Sequence, residues 1–78
     1  TFLNSKLVQD TTADKMIFSI EEQIAYASTL FTLFPGDLIA TGSPDGTGGG
    51  QVPKRHLVSG DTLKITVSGL TTLVNNVV

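Results

Sequence analysis

The sequence predicts a mainly β fold with one helix (α+β), and three features carry that prediction. Leu63, Ile65 and Val67 alternate with Thr62, Lys64 and Thr66, the period of a half-buried strand. Ser19 stands three residues before Glu22 at the head of the one stretch with helical apolar spacing, the signature of a capping box. Glycine- and proline-containing turns punctuate the remainder at short intervals.

In chain order, Phe2 to Gln9 reads as a hairpin. Phe2-Leu3 and Leu7-Val8 flank Asn4-Ser5-Lys6, and asparagine tolerates the positive φ that tight hairpin turns require. Asp10 to Lys15 is polar and turn-like, and Met16-Ile17-Phe18 is a short apolar plug ahead of the helix. Glu21 and Glu22 fall in the first helical turn, where the helix dipole favours acids. Ile20, Ile24, Ala27 and Phe31 share one helical face, and Pro35-Gly36 forces the chain out. Asp37 to Thr41 then reads as a buried strand centred on Leu38-Ile39-Ala40. A glycine-rich loop follows from Gly42 to Pro53; structureless loops of about a dozen residues are uncommon and often functional. Ser59-Gly60-Asp61 turns into the Thr62–Val67 strand, Ser68-Gly69 is a tight turn, and 70–78 returns as a last strand. Pro35-Gly36-Asp37 and Ser59-Gly60-Asp61 read as two uses of one turn solution.

Composition narrows the chemistry. A chain of 78 residues holds one small domain at most, and short chains bury a smaller share of their surface. Without cysteine it has neither a disulfide nor a thiolate metal site, and its only histidine is His56. The net charge of −2 argues against nucleic acid as a partner, since basic patches supply most of that affinity. No apolar run approaches the ~20 residues of a membrane helix. The lack of cysteines fits a cytoplasmic location. The opening Thr1-Phe2-Leu3 is already strand-like and has no methionine, so further residues are expected upstream.

Four groups of residues bear on function. The run Leu38 to Gly46 brings two hydroxyls, Thr41 and Ser43, to a turn opened by Gly42. Such a turn can present N–H and O–H groups to a carboxylate or enolate oxygen, or its hydroxyls can serve only the local backbone. Gly48-Gly49-Gly50 lacks the Gly-Lys-Ser/Thr and helix of a phosphate loop, which leaves a flexible surface loop. Lys54-Arg55-His56 could meet an anionic substrate or a partner's carboxylates; a solvated turn is the simpler reading, and His56 has no neighbouring carboxylate or nucleophile. Among the acids, Asp37 and Asp61 are explained by turns and Glu21 and Glu22 by the helix start, so no complete metal site is expected within the chain.

Taken together these motifs resemble the C-terminal part of the fumarylacetoacetate hydrolase family. Asn4-Ser5-Lys6 with Gln9 is similar to the family's Asn-Gly-Glu hairpin and following glutamine, and Met16-Ile17-Phe18 to its Met-Ile-Phe. Phe34-Pro35-Gly36-Asp37-Leu38-Ile39-Ala40-Thr41-Gly42-Ser43-Pro44 is similar to its Pro-Gly-Asp, apolar strand and Thr-Gly-Thr/Ser-Pro. Ser59-Gly60-Asp61 and the strands after it resemble the family's closing strands, and the resemblance lies close to the 2-oxohept-3-ene-1,7-dioate hydratase/isomerase and acylpyruvase-like members. Departures lie in Thr47, in Gly48-Gly49-Gly50 and in Val52 to Leu57, which bear on substrate identity.

The resemblance implies that residues 1–78 are a partial catalytic domain within a pseudo-barrel of mixed β-sheets. It implies a parent enzyme, expected to be a homodimer, that uses Mg²⁺ (or Mn²⁺ or Ca²⁺) on a small 2-oxo or diketo acid. C–C hydrolysis, decarboxylation, hydration or isomerisation through an enolate would be its reaction, and aromatic catabolism one setting. It places the metal-binding acids upstream, leaving no metal and no catalytic residue in this chain. Ser43 then matches the hydroxyl that contacts the substrate carboxylate, with Thr41 and Gly42 beside it as substrate-binding residues, and Gly46 to His56 matches a stretch near the active-site mouth. The competing expectations are a non-catalytic truncated product and a small β binding module built on the glycine-rich loop.

Overall fold

The computed structural model describes all residues, 1–78. They fall into two compact units, one formed by Thr1–Asp10 with Ser43–Val78 and the other by Thr11–Gly42.

The first unit is a four-stranded sheet. Its strands are β1 (Phe2–Leu3), β2 (Lys6–Leu7), β3 (Thr62–Ile65) and β4 (Leu73–Asn76), in spatial order β2-β1-β3-β4 and antiparallel throughout. The hairpin predicted from Asn4 is present, with a two-residue turn: Asn4 (φ 49°) and Ser5 (φ 67°) both take positive φ. That pair of dihedrals belongs to the hairpin turn whose twist matches its strands. Phe2 then opposes Leu7 and Leu3 opposes Lys6. β1 also pairs β3, with Phe2 opposite Lys64 and Leu3 opposite Leu63. The Lys64 ammonium lies 5.7 Å from the centre of the Phe2 ring, within cation–π range. The expected alternation survives where β3 has neighbours on both sides: Leu63 and Ile65 are half-buried and Lys64 is exposed. It fails at Val67, which lies beyond the last ladder pair, Ile65 with Leu73. β4 is shorter than the predicted 70–78 strand because its register with β3 ends at Thr62 and Asn76.

The two glycine turns repeat one design. Phe34 N–H donates to Asp37 Oδ2 at 2.8 Å and Asp37 N–H returns a bond to the Phe34 carbonyl at 3.1 Å. Val58 N–H donates to Asp61 Oδ2 at 2.9 Å and Asp61 N–H bonds the Val58 carbonyl at 3.0 Å. Gly36 and Gly60 supply the positive φ (97° and 90°) at the third turn position, which a side chain would strain. In both turns the aspartate closes the turn on itself.

In the second unit, α1 spans Ile20–Leu30. The capping box is complete: Ser19 Oγ accepts from Glu22 N–H at 3.2 Å, and Glu22 Oε2 accepts from Ser19 N–H at 2.8 Å. The helix stops before Phe31, earlier than Pro35 requires, and Phe31 is fully extended (φ −158°). In the last turn the hydroxyls of Ser28 and Thr29 bond back to the Ala25 and Tyr26 carbonyls, both at 2.7 Å. Such local bonds compete with continuation of the helix.

Two expectations are corrected here. Asp37–Thr41 is not a buried strand: it pairs with no neighbour and Leu38 is 97 % exposed. A strand needs a ladder partner for its backbone groups, and no strand of this chain flanks that segment. Likewise Met16-Ile17-Phe18 plugs nothing, with Ile17 and Phe18 exposed. The helical face of Ile20, Ile24 and Phe31 is also left open.

No apolar residue is buried in either unit, and Asp61 is the one buried polar residue. The chain exposes 6636 Å². A protein of this mass would expose about 4,500 Å² as one compact body, or about 5,400 Å² as two. Hydrophobic burial therefore does little to hold these units together; capping, turn and ladder hydrogen bonds carry the local structure. Ser19→Ala removes one of the two capping bonds and is expected to cost α1 about 1 kcal/mol. Faster amide exchange confined to the first turn, at Ile20 to Gln23, would confirm it, and unchanged exchange there would refute it.

Candidate functional site

A polar cluster gathers on Asp61, at the head of β3. Asn4, in the hairpin turn, docks the hairpin on that strand: its N–H donates to the Thr62 carbonyl and its Oδ1 accepts from Thr62 N–H, both at 2.9 Å. The Asn4 amide Nδ2 then donates to Asp61 Oδ1 at 2.7 Å. Arg55 Nη2 reaches both Asp61 oxygens, at 2.8 and 2.7 Å, and Val58 N–H completes the set. Asp61 is 4 % exposed and every donor around its carboxylate favours the charged form. The Val58 N–H, then Asn4, then Arg55 hold its pKa down from the ordinary 3.8 to about 2, against the opposing effect of burial. Arg55 also donates from Nη1 to the His56 carbonyl.

This cluster fixes the loop that begins at Ser43. Arg55 N–H bonds the Gly48 carbonyl at 2.9 Å, and Gly48–Gly50 forms a 3₁₀ turn. A Cβ on Gly48 would sit 1.8 Å from the Arg55 carbonyl oxygen, so only glycine admits that approach. Gly46 lies as tightly against the hairpin, where a Cβ would fall 1.8 Å from the Val8 oxygen. Gln51 Nε2 bonds the Gly46 carbonyl at 3.4 Å, and Gln9 Nε2 bonds the Pro44 carbonyl at 3.3 Å. The segment read as a flexible surface loop is thus pinned at both ends and in its middle. An open cleft of ≈ 690 Å³ separates the hairpin from Gln51–Arg55; Lys6 and Lys54 line it beside Asn4 and Arg55.

The residues expected to touch substrate are placed as follows. Thr41 and Gly42 end the Thr11–Gly42 unit and Ser43 opens the long segment of the other. All three are exposed, and Gly42 takes φ 101°. The backbone at Gly42 is open, with nothing within 4 Å of where a Cβ would stand. Of the basic cluster, Arg55 is committed to Asp61, which the short-range reading of a solvated turn missed; Lys54 and His56 are exposed. The acceptor of Arg55 is only six residues away, but the Asn4 that shares that carboxylate is 57 residues from it.

No three acidic or histidine side chains converge on a point. Asp61 is filled by Asn4 and Arg55, Asp37 by Phe34 N–H, Glu22 by Ser19 N–H, and Asp14 accepts from Thr12. A hard divalent cation needs several oxygens directed at one position, so the donor set of this chain does not fit the ion its family resemblance implies.

The lowered Asp61 pKa sets a pH dependence. Between the ordinary carboxyl value and about 2 the unfolded chain binds more protons than the folded one. The contribution of Asp61 to stability is therefore fully present above pH about 4 and lost as pH falls through about 2. In acid denaturation, Asp61→Asn is expected to lower stability at neutral pH and to flatten its fall between those values. An unchanged slope there would contradict the bonding described.

Comparison with known proteins agrees with the motif order. A family model described as fumarylacetoacetate (FAA) hydrolase C-terminal matches residues 1–78. A fumarylacetoacetate hydrolase domain-containing protein 2 homolog of Dictyostelium discoideum is 46% identical over 76 residues, covering 96% of this chain and 25% of its own. The oxaloacetate tautomerase YisK of Bacillus subtilis is 46% identical over 77 residues, covering 99% of this chain and 26% of its own. A Staphylococcus saprophyticus protein is 41% identical over 75 residues, again 96% of this chain and 25% of its own. The chain spans about a quarter of the length of these curated relatives. With the whole chain matched and the turn motifs in place, it belongs to the fumarylacetoacetate hydrolase family.

Proposed function

We propose that residues 1–78 are the C-terminal part of a fumarylacetoacetate hydrolase catalytic domain whose complete protein acts on a small 2-oxo or diketo acid through an enolate. The observation that carries this reading is the full-length family match set beside the quarter coverage of each relative. The open surface supports it: the exposed apolar face of α1 and the unpaired Leu38–Ala40 segment await covering by other elements. In the family's pseudo-barrel, Leu38–Ala40 would become a paired strand and Thr41, Gly42 and Ser43 its active-site end.

In that setting this chain supplies substrate contacts. The hydroxyls of Ser43 and Thr41 donate to the substrate carboxylate, and Gly42 keeps the backbone bare so that an oxyanion can approach. A divalent ion, Mg²⁺ or a similar cation, would be held by acids outside residues 1–78 and would stabilise the enolate charge. The tautomerase relative acts on oxaloacetate, a 2-oxo diacid, and tautomerisation is one of the enolate reactions within this reading. A homodimeric parent in the cytoplasm completes it. The alternative of an unrelated small β binding module using the glycine-rich loop is disfavoured by the family match over residues 1–78.

The test compares the 78-residue chain with the full reading frame that contains it, each assayed with Mg²⁺ on oxaloacetate and acylpyruvates. The full-length protein is expected to turn over at least one of them and the short chain none. Metal-dependent turnover by the short chain would refute the reading. In the full-length protein, Ser43→Ala is expected to weaken substrate binding by roughly 0.5–1.5 kcal/mol, one hydroxyl hydrogen bond. Unchanged kinetics across these acids would remove Ser43 from the site.

A further inference from the structure

We infer that Arg55 is a positioning residue for Ser43, acting through the Pro44–Arg55 loop that the Asn4–Asp61–Arg55 cluster holds in place. The inference rests on the proposed role of Ser43 and adds how that role is maintained. Basic clusters next to a site for acids invite the assumption that each cation binds the anion directly. The geometry says otherwise for Arg55. Its guanidinium is spent on both Asp61 oxygens and on the His56 carbonyl, and Asp61 is in turn saturated by Asn4 and Val58. Withdrawing Arg55 toward a ligand would leave a buried carboxylate short of donors, a costly exchange.

What Arg55 does hold is the far end of the loop. Its N–H closes on Gly48, Gln51 closes on Gly46, and Gly46 rests on Val8 of the hairpin that Asn4 fixes to β3. Pro44, directly after Ser43, is tied by Gln9 of the same hairpin. The loop following Ser43 is therefore tied to the hairpin at Pro44 and Gly46 and to Asp61 at Arg55, with Gly48 closed on Arg55 within it. Loss of the Arg55 Nη2 bonds to Asp61 frees the last of these anchors and lets the loop that follows Ser43 fluctuate. Lys54, adjacent in sequence, takes part in none of these bonds.

The experiment uses the full-length protein and two readouts, amide exchange of the 46–55 loop and the separate values of KM and kcat for oxaloacetate. Arg55→Met is expected to speed exchange at Gly50, Gln51 and Arg55's own position by at least about tenfold, the factor implied by losing a charge-assisted bond, with α1 unchanged. KM should rise while kcat stays within about twofold, since binding geometry and not chemistry is disturbed. Lys54→Gln should move neither readout. Unchanged loop exchange in Arg55→Met, or a rise in KM for Lys54→Gln equal to that for Arg55→Met, would overturn the inference in favour of direct anion contact. Should Arg55→Met unfold, Asp61→Asn decides by the same exchange measurement: a local increase in 46–55 supports the inference, and none overturns it. Absence of turnover in the wild-type protein would count against the proposed function, while the exchange result would still judge the loop anchoring.

Discussion

One buried carboxylate organises the sheet unit. Asp61 gathers a backbone N–H from its own turn, an amide from the N-terminal hairpin and a guanidinium from the glycine-rich loop. Two donors close in sequence and one 57 residues away thereby share one acceptor. A charged group this enclosed is costly unless its oxygens are filled, and here they are, so the cluster is strongly cooperative: losing any donor weakens the case for burying the rest. Through Asn4 it ties the hairpin turn to the head of β3, and through Arg55 it ties down the far end of the 44–55 loop. In a unit without a single buried apolar residue, such polar specification carries more of the structure than it would in an ordinary core.

The absence of a core gives the molecule its other main property. Its surface exceeds that of a compact protein of the same mass by on the order of 1,000–2,000 Å², comparable to the whole area buried at a standard protein interface. β2 and β4 end the sheet with open edges, and such edges pair readily with other strands. These features agree with the family assignment and with the quarter coverage of the relatives, in which further chain accompanies the matched segment.

Local signals were legible in the sequence where the physics is local. The Ser19–Glu22 capping box, the Asn4 turn and the duplicated glycine–aspartate turn all form as their residues dictate, because their partners lie within three or four positions. The family was legible for a related reason: its turn motifs retain their order and spacing. Leu38–Ala40 misled because an apolar run specifies burial but not the strand that provides it. Arg55 was missed as a structural residue because its acceptor, though only six positions away, is shaped by Asn4 at the other end of the chain. Thr41, Gly42 and Ser43 are exposed as their polarity suggests, but they lie in irregular backbone and not in the turn that the Gly-Ser-Pro run pointed to.

The cooperative role of Asp61 is tested most directly by a double-mutant cycle on its two side-chain donors, with the stability of the sheet unit measured for Asn4→Ala, Arg55→Met and the pair. Both donors bond the same oxygen, Oδ1, so the account predicts that the combined loss differs clearly from the sum of the single losses. Strict additivity would mean that the two residues act independently, and that no shared carboxylate holds hairpin, loop and strand together.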